Sequence, residues 1–381
     1  MAKPKIRLKG FKGEWENKLL GNLCSVNRGV RVTRKELNNQ GDYPVFQNTD
    51  YPMGFYNQYN VAGNNPFVII GGSAGLIGFS KKEFWAADDC VYFGDNAELD
   101  KAYLFNILLK HSSTIKKNVR GSSVPRLDRK VLVGLSISIP SIDEQQGIAD
   151  YFKSLDSMIQ GVTKKIASLK QMKQACLVSM FPQAGETTPR VRFKGFKGEW
   201  GKDKAGNLFM TFNERNRPDL PVLSANQDIR GMAPRTDKGY NISHNKANEV
   251  TYKVVKPGQY VIHLRSFQGG FAHSSVEGIT SPAYTVFGFK DAERHDDYFW
   301  KIIFMSKEFI KSLETITYGI RDGRSISFSE FAEMNFCFPS KEEQQQIASF
   351  FTSLDKQISL QEARLEKLKQ IKAACLDKMF V

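Results

Sequence analysis

Apolar residues recur with heptad spacing in two long segments of the chain. In residues 139–181, seven apolar positions are separated alternately by four and three residues. They are Ile148, Phe152, Leu155, Ile159, Val162, Ile166 and Leu169. In residues 338–380 the spacing recurs at Ile347, Phe351, Leu354, Ile358, Leu365 and Leu368, and Gln361 interrupts it. Because this spacing is typical of a coiled-coil seam, each segment is predicted to be one long helix, and each helix can bury the seam of the other.

The two predicted helices also begin alike. The first follows Pro140-Ser141 and the second follows Pro339-Ser340, and each has acidic residues in its first turn. Acidic side chains are favoured there because they interact with the positive end of the helix dipole. Ile148 and Ile347 correspond, which sets the two copies 199 residues apart. At about 1.5 Å per residue, a segment of about 40 residues makes a rod of roughly 60 Å.

A second repeat opens each half of the chain. Residues 4–15 and 189–200 form this opening motif, and its heptapeptide Lys9–Trp15 recurs identically as Lys194–Trp200, whereas the sequences between the repeated pieces differ. We therefore predict two globular domains with their opening motifs, at 1–139 and 183–338, and two helical segments, at 140–182 and 339–381. The last pair, Met379-Phe380, matches Met180-Phe181, which precedes the second opening motif. This order predicts that the C-terminus lies beside the first opening motif, as in a closed ring with approximate two-fold symmetry.

The two regions between the repeats are predicted to be mixed α+β domains. The first has strand patterns at 66–70, 90–93 and 135–139, a helix at 99–110 and a short helix capped by Asp128. The second has strand patterns at 249–255, 259–264 and 283–289, a helix at 296–309 and a capping box of Ser327 and Glu330. Both regions end in the same order, with a helix, a basic Gly-rich turn, a short helix, a strand and a proline. The basic turns are at 116–126 and 318–324.

The composition points to a polyanionic partner. The chain has 54 Lys and Arg against 40 Asp and Glu, a net charge of +14. Such an excess favours nucleic acid or an anionic membrane surface. No apolar run reaches 18 residues, and the N-terminus lacks the apolar core of a signal peptide, so we expect no membrane span and no secretion. Five cysteines without a CxxC pair indicate a reducing cytoplasm rather than disulfides or a zinc site.

Basic and polar side chains of the two regions are the candidates for binding nucleic acid. Phosphates are held by Lys, Arg and backbone N–H groups, and base edges are read by Arg, Lys, Asn, Gln and Ser. In the first region the candidates are Lys116, Lys117, Arg120, Ser122, Ser123, Arg126, Arg129, Arg28, Arg31, Arg34 and Lys35. In the second they are Tyr318, Arg321, Arg324, Arg215, Arg217, Arg230, Arg235 and Arg265. Any one of them is more readily a solvated surface residue, so the prediction concerns a basic face rather than each member.

The whole chain resembles the specificity subunit of type I restriction-modification systems. The resemblance is carried by the Trp-ended opening motifs, the turn Gly121–Arg126, and the helix starts Glu144-Gln145-Gln146 and Glu343-Gln344-Gln345. It implies two target recognition domains, each reading one half of a split double-stranded DNA sequence. It also implies that the two long helices pair antiparallel and set the gap between the half-sites.

The resemblance further implies partners rather than catalysis. Two methyltransferase subunits and restriction subunits would dock on this chain, for adenine methylation or ATP-dependent cleavage. No cofactor is expected on the chain itself, since S-adenosylmethionine, ATP and Mg²⁺ would be bound by the partners. The expected location is the cytoplasm of a prokaryote, on the nucleoid through DNA.

Two other interpretations stay open. An autonomous nuclease or methyltransferase would need an active site, and the motifs for one are incomplete. The run Gly71–Gly78 lacks the spacing of a phosphate-binding loop, and is better explained as strand, turn and strand. Asn64–Phe67 lacks the first proline of the (N/D)PP(Y/F) motif, and the triplets Glu16–Lys18 and Asp128–Lys130 have no accompanying carboxylate cluster. A purely structural scaffold is opposed by the basic charge and by the divergence of the two domains.

Overall fold

The chain divides into two compact units, which are described separately. The computed structural model describes residues 3–38, 40–183, 185–226, 231–235, 246–263, 270–316 and 326–381. Unit 1 comprises Met1–Lys165 and Gln361–Val381, and unit 2 comprises Ile166–Leu360. Each unit therefore contains one globular domain, the first part of the long helix that follows this domain, and the last part of the other long helix.

The globular part of unit 1 is built on three small sheets. Its strands are β1 (Glu16–Leu19), β2 (Val26–Arg28), β3 (Tyr43–Phe46), β4 (Gly54–Tyr56), β5 (Asn65–Ile69), β6 (Ile77–Ser80), β7 (Trp85–Ala86), β8 (Cys90–Phe93) and β9 (Ser136–Ile139). They form an antiparallel sheet of order β2-β8-β5-β6, a sheet of order β4-β3-β7, and the ribbon β1-β9. The helices are α1 (Leu20–Leu23), α2 (Lys101–Lys110), α3 (Ser112–Lys117) and α4 (Arg129–Val133).

The first domain packs α2 against its four-stranded sheet. The helix begins where the Asp100 side chain accepts a hydrogen bond from the Tyr103 backbone N–H. Tyr103, Leu104 and Leu108 are fully buried in the main core. A second cluster, around Phe67 and Phe84, lies between the four-stranded and three-stranded sheets.

Unit 2 has a different sheet. Its strands are β10 (Gly201–Lys204), β11 (Phe209–Phe212), β12 (Leu223–Asn226), β13 (Gly231–Pro234), β14 (Lys253–Val255), β15 (Tyr260–Ile262), β16 (Phe271–His273), β17 (Gly278–Thr280), β18 (Thr285–Phe289) and β19 (Asn335–Phe338). Six of them form a sheet of order β11-β18-β15-β16-β13-β12, and β14-β17 and β10-β19 are two ribbons. The helices are α6 (Ala205–Leu208), α7 (Asp297–Phe304), α8 (Lys307–Ile316) and α9 (Phe328–Ala332), with 3-10 turns at Lys246–Thr251 and Ala292–Arg294.

The core of unit 2 is mainly aromatic. Trp300 lies on α7, and its ring packs edge-on against Phe209 of β11, with the ring centroids 5.1 Å apart. Phe209, Phe287 and Phe331 are each at most 1% exposed. Edge-to-face arrangements of this kind stabilise a core beyond the apolar area that they bury.

The two long helices lie within the two segments predicted to be helical. They are α5 (Ile142–Ser179) and α10 (Lys341–Lys378), of 38 residues each. In unit 1, Tyr151 contacts Cys375 and Lys372 donates a hydrogen bond to Asp156. In unit 2, Leu169 packs against Leu354 and Ile358. As residue numbers increase along α5, the numbers of the contacting residues on α10 decrease. The two helices therefore run antiparallel in each unit.

Burial follows the predicted seam with three departures. The buried members are Ile148, Phe152, Leu155, Val162, Ile166, Leu169, Ile347, Phe351, Leu354 and Ile358. Ile159, Leu365 and Leu368 are only half-buried. The last two follow the interruption at Gln361, where the second helix lacks the apolar residue that Val162 supplies to the first.

The opening motifs join the ends of the long helices. The backbone N–H of Ile6 donates to the carbonyl of Lys378 in unit 1, and that of Val191 donates to Ser179 in unit 2. Phe380 packs against Tyr103 and Phe152. The prediction that the C-terminus lies beside the first opening motif is therefore confirmed.

Several predicted elements are corrected. The single helix expected at 296–309 is two helices, α7 and α8, separated by Met305 and Ser306. Lys116 and Lys117 belong to the last turn of α3 rather than to an irregular turn. The strand expected at 249–255 is a 3-10 turn followed by the three-residue strand β14.

Other predicted elements are confirmed. Asp128 caps α4, and Ser327 and Glu330 form the capping box of α9. Among the described residues, no helix has the length and apolarity that crossing a bilayer requires.

Candidate nucleic-acid interface

A buried glutamate at the start of each long helix holds the opening motif of the same unit. Arg7 donates from Nε and Nη2 to the two carboxylate oxygens of Glu144, at 2.8 and 2.7 Å. Arg192 makes the same pair of bonds to Glu343, at 2.6 and 2.7 Å. The two glutamate side chains are 2% and 1% exposed. A carboxylate that is buried to this degree needs a partner of opposite charge, and the opening motif supplies it.

The next residue, a glutamine, holds the globular domain. Gln145 accepts from the backbone N–H of Asp100 at 3.0 Å and donates to the carbonyl of Pro140. Gln344 accepts from the N–H of Asp296 at 3.0 Å and donates to Pro339. Asp100 and Asp296 are the N-caps of α2 and α7. Two different domains are therefore attached to the long helices by the same side chains.

The basic turn of unit 1 presents a row of free donors. Arg120 and Arg126 pair across it through backbone hydrogen bonds of 2.8 and 2.7 Å, and Gly121 has a φ of +92°. Four of the predicted candidates are exposed, and their side chains make no hydrogen bond or ion pair with any other described residue. They are Lys116, Lys117, Ser122 and Ser123. Such groups are available to bind phosphate oxygens.

Four predicted arginines of unit 1 have partners within the protein. Arg126 pairs with Asp89 at 2.6 Å, and Arg28 lies 3.9 Å from the same carboxylate. Arg120 donates to the carbonyl of Lys117, at the C-terminus of α3, and Arg129 donates to Val26. The side chains of Arg126 and Arg28 are 55% and 52% exposed, so part of each guanidinium stays open to solvent.

Arg31 and Arg34 lie on an open cavity of about 950 Å³. Gln47 and Asn48, which directly follow β3, line it from another segment. Arg31, Arg34 and Asn48 are exposed, and their side chains have no partner among the described residues. We call this feature the arginine–amide cavity.

One wall of the arginine–amide cavity is fixed by a local turn. The backbone N–H and the hydroxyl of Thr33 donate to the carboxylate of Glu36, at 2.6 and 2.7 Å. These bonds, first that of the hydroxyl and then that of the backbone, lower the pKa of Glu36 and keep the carboxylate ionised. The turn that carries Arg34 is thereby closed.

Backbone hydrogen bonds join the cavity to the basic turn. Ser73 donates its N–H to the carbonyl of Asn48, and Gly72 donates to the carbonyl of Pro125, at 3.1 and 3.2 Å. Residues 70–76 connect β5 and β6, so the glycine-rich run is the predicted strand, turn and strand. The cavity, this hairpin turn and the basic turn form one continuous surface.

The candidates in unit 2 are less well defined. Arg217 is paired with Asp219 at 2.8 Å, and Arg215 donates to Asn213. Arg235 is half-buried at the end of β13. The remaining candidates lie outside the described residues. They are Arg230, Arg265, Tyr318, Arg321 and Arg324.

The residues weighed for catalysis take structural positions. Asn65 and Pro66 are buried in β5, where the Asn65 amide donates to the carbonyl of Phe93. The Asp128 carboxylate caps a helix. In the described part of the chain, no three His, Cys, Asp or Glu side chains are grouped so as to hold a metal ion.

Sequence reasoning missed three residues of this surface. Gln47 and Asn48 belong to a polar run directly after an apolar strand, a pattern that marks an exposed loop. Asp89 has no comparable pattern, because its role depends on bringing Arg28 and Arg126 together from distant parts of the chain.

The chain matches known proteins over most of its length. The sequence profile of the type I restriction modification DNA specificity domain matches twice, at residues 12–171 and 198–370. The MjaVIII specificity subunit of a type I restriction enzyme from Methanocaldococcus jannaschii is 23% identical, over 94% of this chain and 90% of the relative. A putative type I specificity subunit from Mycoplasma pneumoniae, S.MpnORF507P, is 27% identical over 46% of this chain, and the match spans about half of that relative, 48%.

Solved structures share the fold. The S subunit of a type I restriction-modification system from M. genitalium superposes with a TM-score of 0.67, over 100% of this chain and 99% of that one, at 16% identity. The two profile matches fall on the two halves that the internal repeats define, and together they cover well over half of the chain. The chain therefore belongs to the type I restriction modification DNA specificity domain family.

Proposed function

We propose that this chain recognises a split double-stranded DNA sequence, with each globular domain reading one half-site. The observation that carries the proposal is the repeated attachment of two different domains. In unit 1, a domain with four-stranded and three-stranded sheets is held by the pair Arg7–Glu144 and by Gln145. In unit 2, a domain with a six-stranded sheet is held by the pair Arg192–Glu343 and by Gln344. Identical attachments with different domains suit a protein that reads two different targets at a fixed separation.

The long helices supply the separation. Seams that are buried in both units make α5 and α10 stiff, and a stiff spacer fixes the gap between half-sites in the way that dimer geometry does in other DNA-binding proteins. The net charge of +14 and the exposed donors of the basic turn support binding to phosphates.

We further propose that methyltransferase and restriction subunits assemble on this chain. The MjaVIII relative is named as a specificity subunit of a restriction enzyme, and a structure with a TM-score of 0.51 is described as part of the complex assembly of the type I system. Two methyltransferase subunits would match the two repeated attachments. S-adenosylmethionine, ATP and Mg²⁺ would then be bound by these partners, on chromosomal DNA in the cytoplasm of a prokaryote.

A selection experiment tests the DNA-binding proposal. The purified full chain is incubated with a library of random duplexes, and bound DNA is sequenced over several rounds. Two short blocks separated by a constant gap are expected. One contiguous block, or no enrichment, would contradict the proposal.

Co-purification tests the assembly proposal. The chain is expressed with a methyltransferase subunit of a type I system, and the mass of the complex is measured. A complex with two methyltransferase copies is expected, and failure of the two proteins to associate would overturn this part.

A further inference from the structure

We infer that the first domain reads its bases through the arginine–amide cavity, whereas its basic turn holds phosphates. The inference rests on the proposed function and assigns the two tasks to different residues. The cavity residues are Arg31, Arg34, Gln47 and Asn48, and the phosphate-binding residues are Lys116, Lys117, Ser122 and Ser123.

The internal repeat separates the two tasks. A basic sequence segment that contains Gly precedes the capped short helix in both domains, at 116–126 and 318–324. The segment from Arg31 to Gly54 has no counterpart in the sequence of the second domain. The phosphate backbone is common to both half-sites, whereas the bases differ. A basic segment that is present in both domains therefore fits the phosphate backbone, which both half-sites have. A segment that is present in only one domain fits the base sequence that this domain reads.

The side chains of the cavity match base edges. An arginine guanidinium can donate two hydrogen bonds to O6 and N7 of guanine, and an Asn or Gln amide pairs with N6 and N7 of adenine. Arg31 and Arg34 have no partner among the described residues, and neither does the Asn48 amide. No acidic side chain occurs among the described residues that line the cavity. These groups are therefore free to bind a base edge without first breaking an internal bond.

The backbone around the cavity is held in place. The backbone N–H of Ser73 donates to the carbonyl of Asn48. The neighbouring Gly72 has a φ of +77°, and a Cβ at this position would stand 2.9 Å from the Cβ of Asn48, so the two segments are closely packed. The Gln47 amide lies 3.4 Å from the Asp88 carboxylate. On the other wall, the turn closed by Thr33 and Glu36 supports Arg34. Reading groups carried on fixed backbone discriminate better than groups on a mobile loop.

The four cavity residues predict part of the base composition of the half-site. The half-site of the first domain contains at least one guanine, read by an arginine of the cavity, and at least one adenine, read by Asn48 or Gln47. Its expected length is short, because four side chains are assigned to reading bases.

The test compares variants of the full chain on paired DNA duplexes. One duplex carries the selected target, and the other has the block read by the first domain scrambled. Arg31→Lys keeps the charge but removes the planar fork that binds guanine at two points. Asn48→Ala removes the amide. Lys117→Ala, in the basic turn, is the matched control.

The expected results differ between the two sites. Arg31→Lys and Asn48→Ala each weaken binding to the intact target by about 5- to 150-fold, with binding to the scrambled duplex unchanged. Lys117→Ala weakens binding to both duplexes in equal proportion and lowers the log–log salt slope by about 0.9.

Two failures can be told apart. If the wild-type chain does not distinguish the two duplexes, the proposed function fails, and the inference fails with it. If the wild-type chain discriminates but the Arg31 and Asn48 variants affect both duplexes equally, or neither, only the inference is overturned.

Discussion

Arg7 reaches Glu144 across 137 positions of sequence and forms two parallel hydrogen bonds with it, of 2.8 and 2.7 Å. Arg192 and Glu343 repeat the arrangement in unit 2. The glutamates belong to the repeated helix starts, and the arginines to the repeated opening motifs. The repeated sequences thus meet in space and form the attachment for whatever domain lies between them.

This pairing predicts a large cost for removing either glutamate. Glu144→Ala leaves the guanidinium of Arg7 without its carboxylate, and lowers the free energy of unfolding by about 2 kcal/mol. Asp143→Ala is the matched control, because Asp143 is its exposed neighbour in the same helical turn. The control costs less than about 1 kcal/mol, the usual range for a charge near a helix end. Urea denaturation measures both, and equal costs would contradict the structural role of the pair.

The seam of the long helices predicts a second contrast. Leu354 is 3% exposed and packs against Leu169 and Ile358, whereas Leu365 is half-buried. Leu354→Ala is expected to cost about 2–5 kcal/mol, because it removes buried methyl groups and leaves a cavity. Leu365→Ala is expected to cost clearly less, since water already reaches the side chain. Denaturation midpoints of the two variants, with an unchanged m-value, provide the comparison.

Periodicity predicted the parts of the fold that depend on local sequence. The seam spacing predicted both long helices within a few residues, since an apolar stripe that extends over many helical turns has few other ways to be buried. Capping residues such as Asp128 and Ser327 located short helices correctly, because a cap acts on the backbone within three positions.

The remaining structure depends on contacts between distant residues. The break between α7 and α8 was missed because the sequence across Met305 and Ser306 contains neither Gly nor Pro. Of the candidate DNA-binding arginines, Arg126 and Arg217 are paired with carboxylates, whereas Arg31 and Arg34 have no carboxylate partner in the part of the chain that the structure describes. The amino-acid composition cannot tell paired from unpaired arginines, because it gives the number of charged residues and not their positions in the fold.

The cysteines allow a chemical test of the two buried clusters of the first domain, since Cys24 lies in the main core and Cys90 in the second cluster. Burial raises the pKa of Cys90 above its ordinary value, and burial also raises that of Cys24. Since the thiolate is the form that reacts, a raised pKa leaves less of it at any given pH. Iodoacetamide at pH 8 is therefore expected to modify the half-buried Cys176, Cys337 and Cys375 before these two.

Peptide mass spectrometry at several times follows the labelling. All five cysteines should react at similar rates once the chain is unfolded in urea, which serves as the control. Rapid native labelling of Cys90 would show that the core of the first domain is more open than described.

We propose above that two domains on one pair of helices each read one block of a split DNA sequence. Methylation mapping tests this proposal in cells that carry the chain with a methyltransferase subunit of a type I system, and in cells that lack the chain. We expect a methylated adenine motif of two short blocks with a fixed gap, and we expect that exchanging residues 210–338 alters one block only. Methylation that is unchanged when the chain is deleted would contradict it.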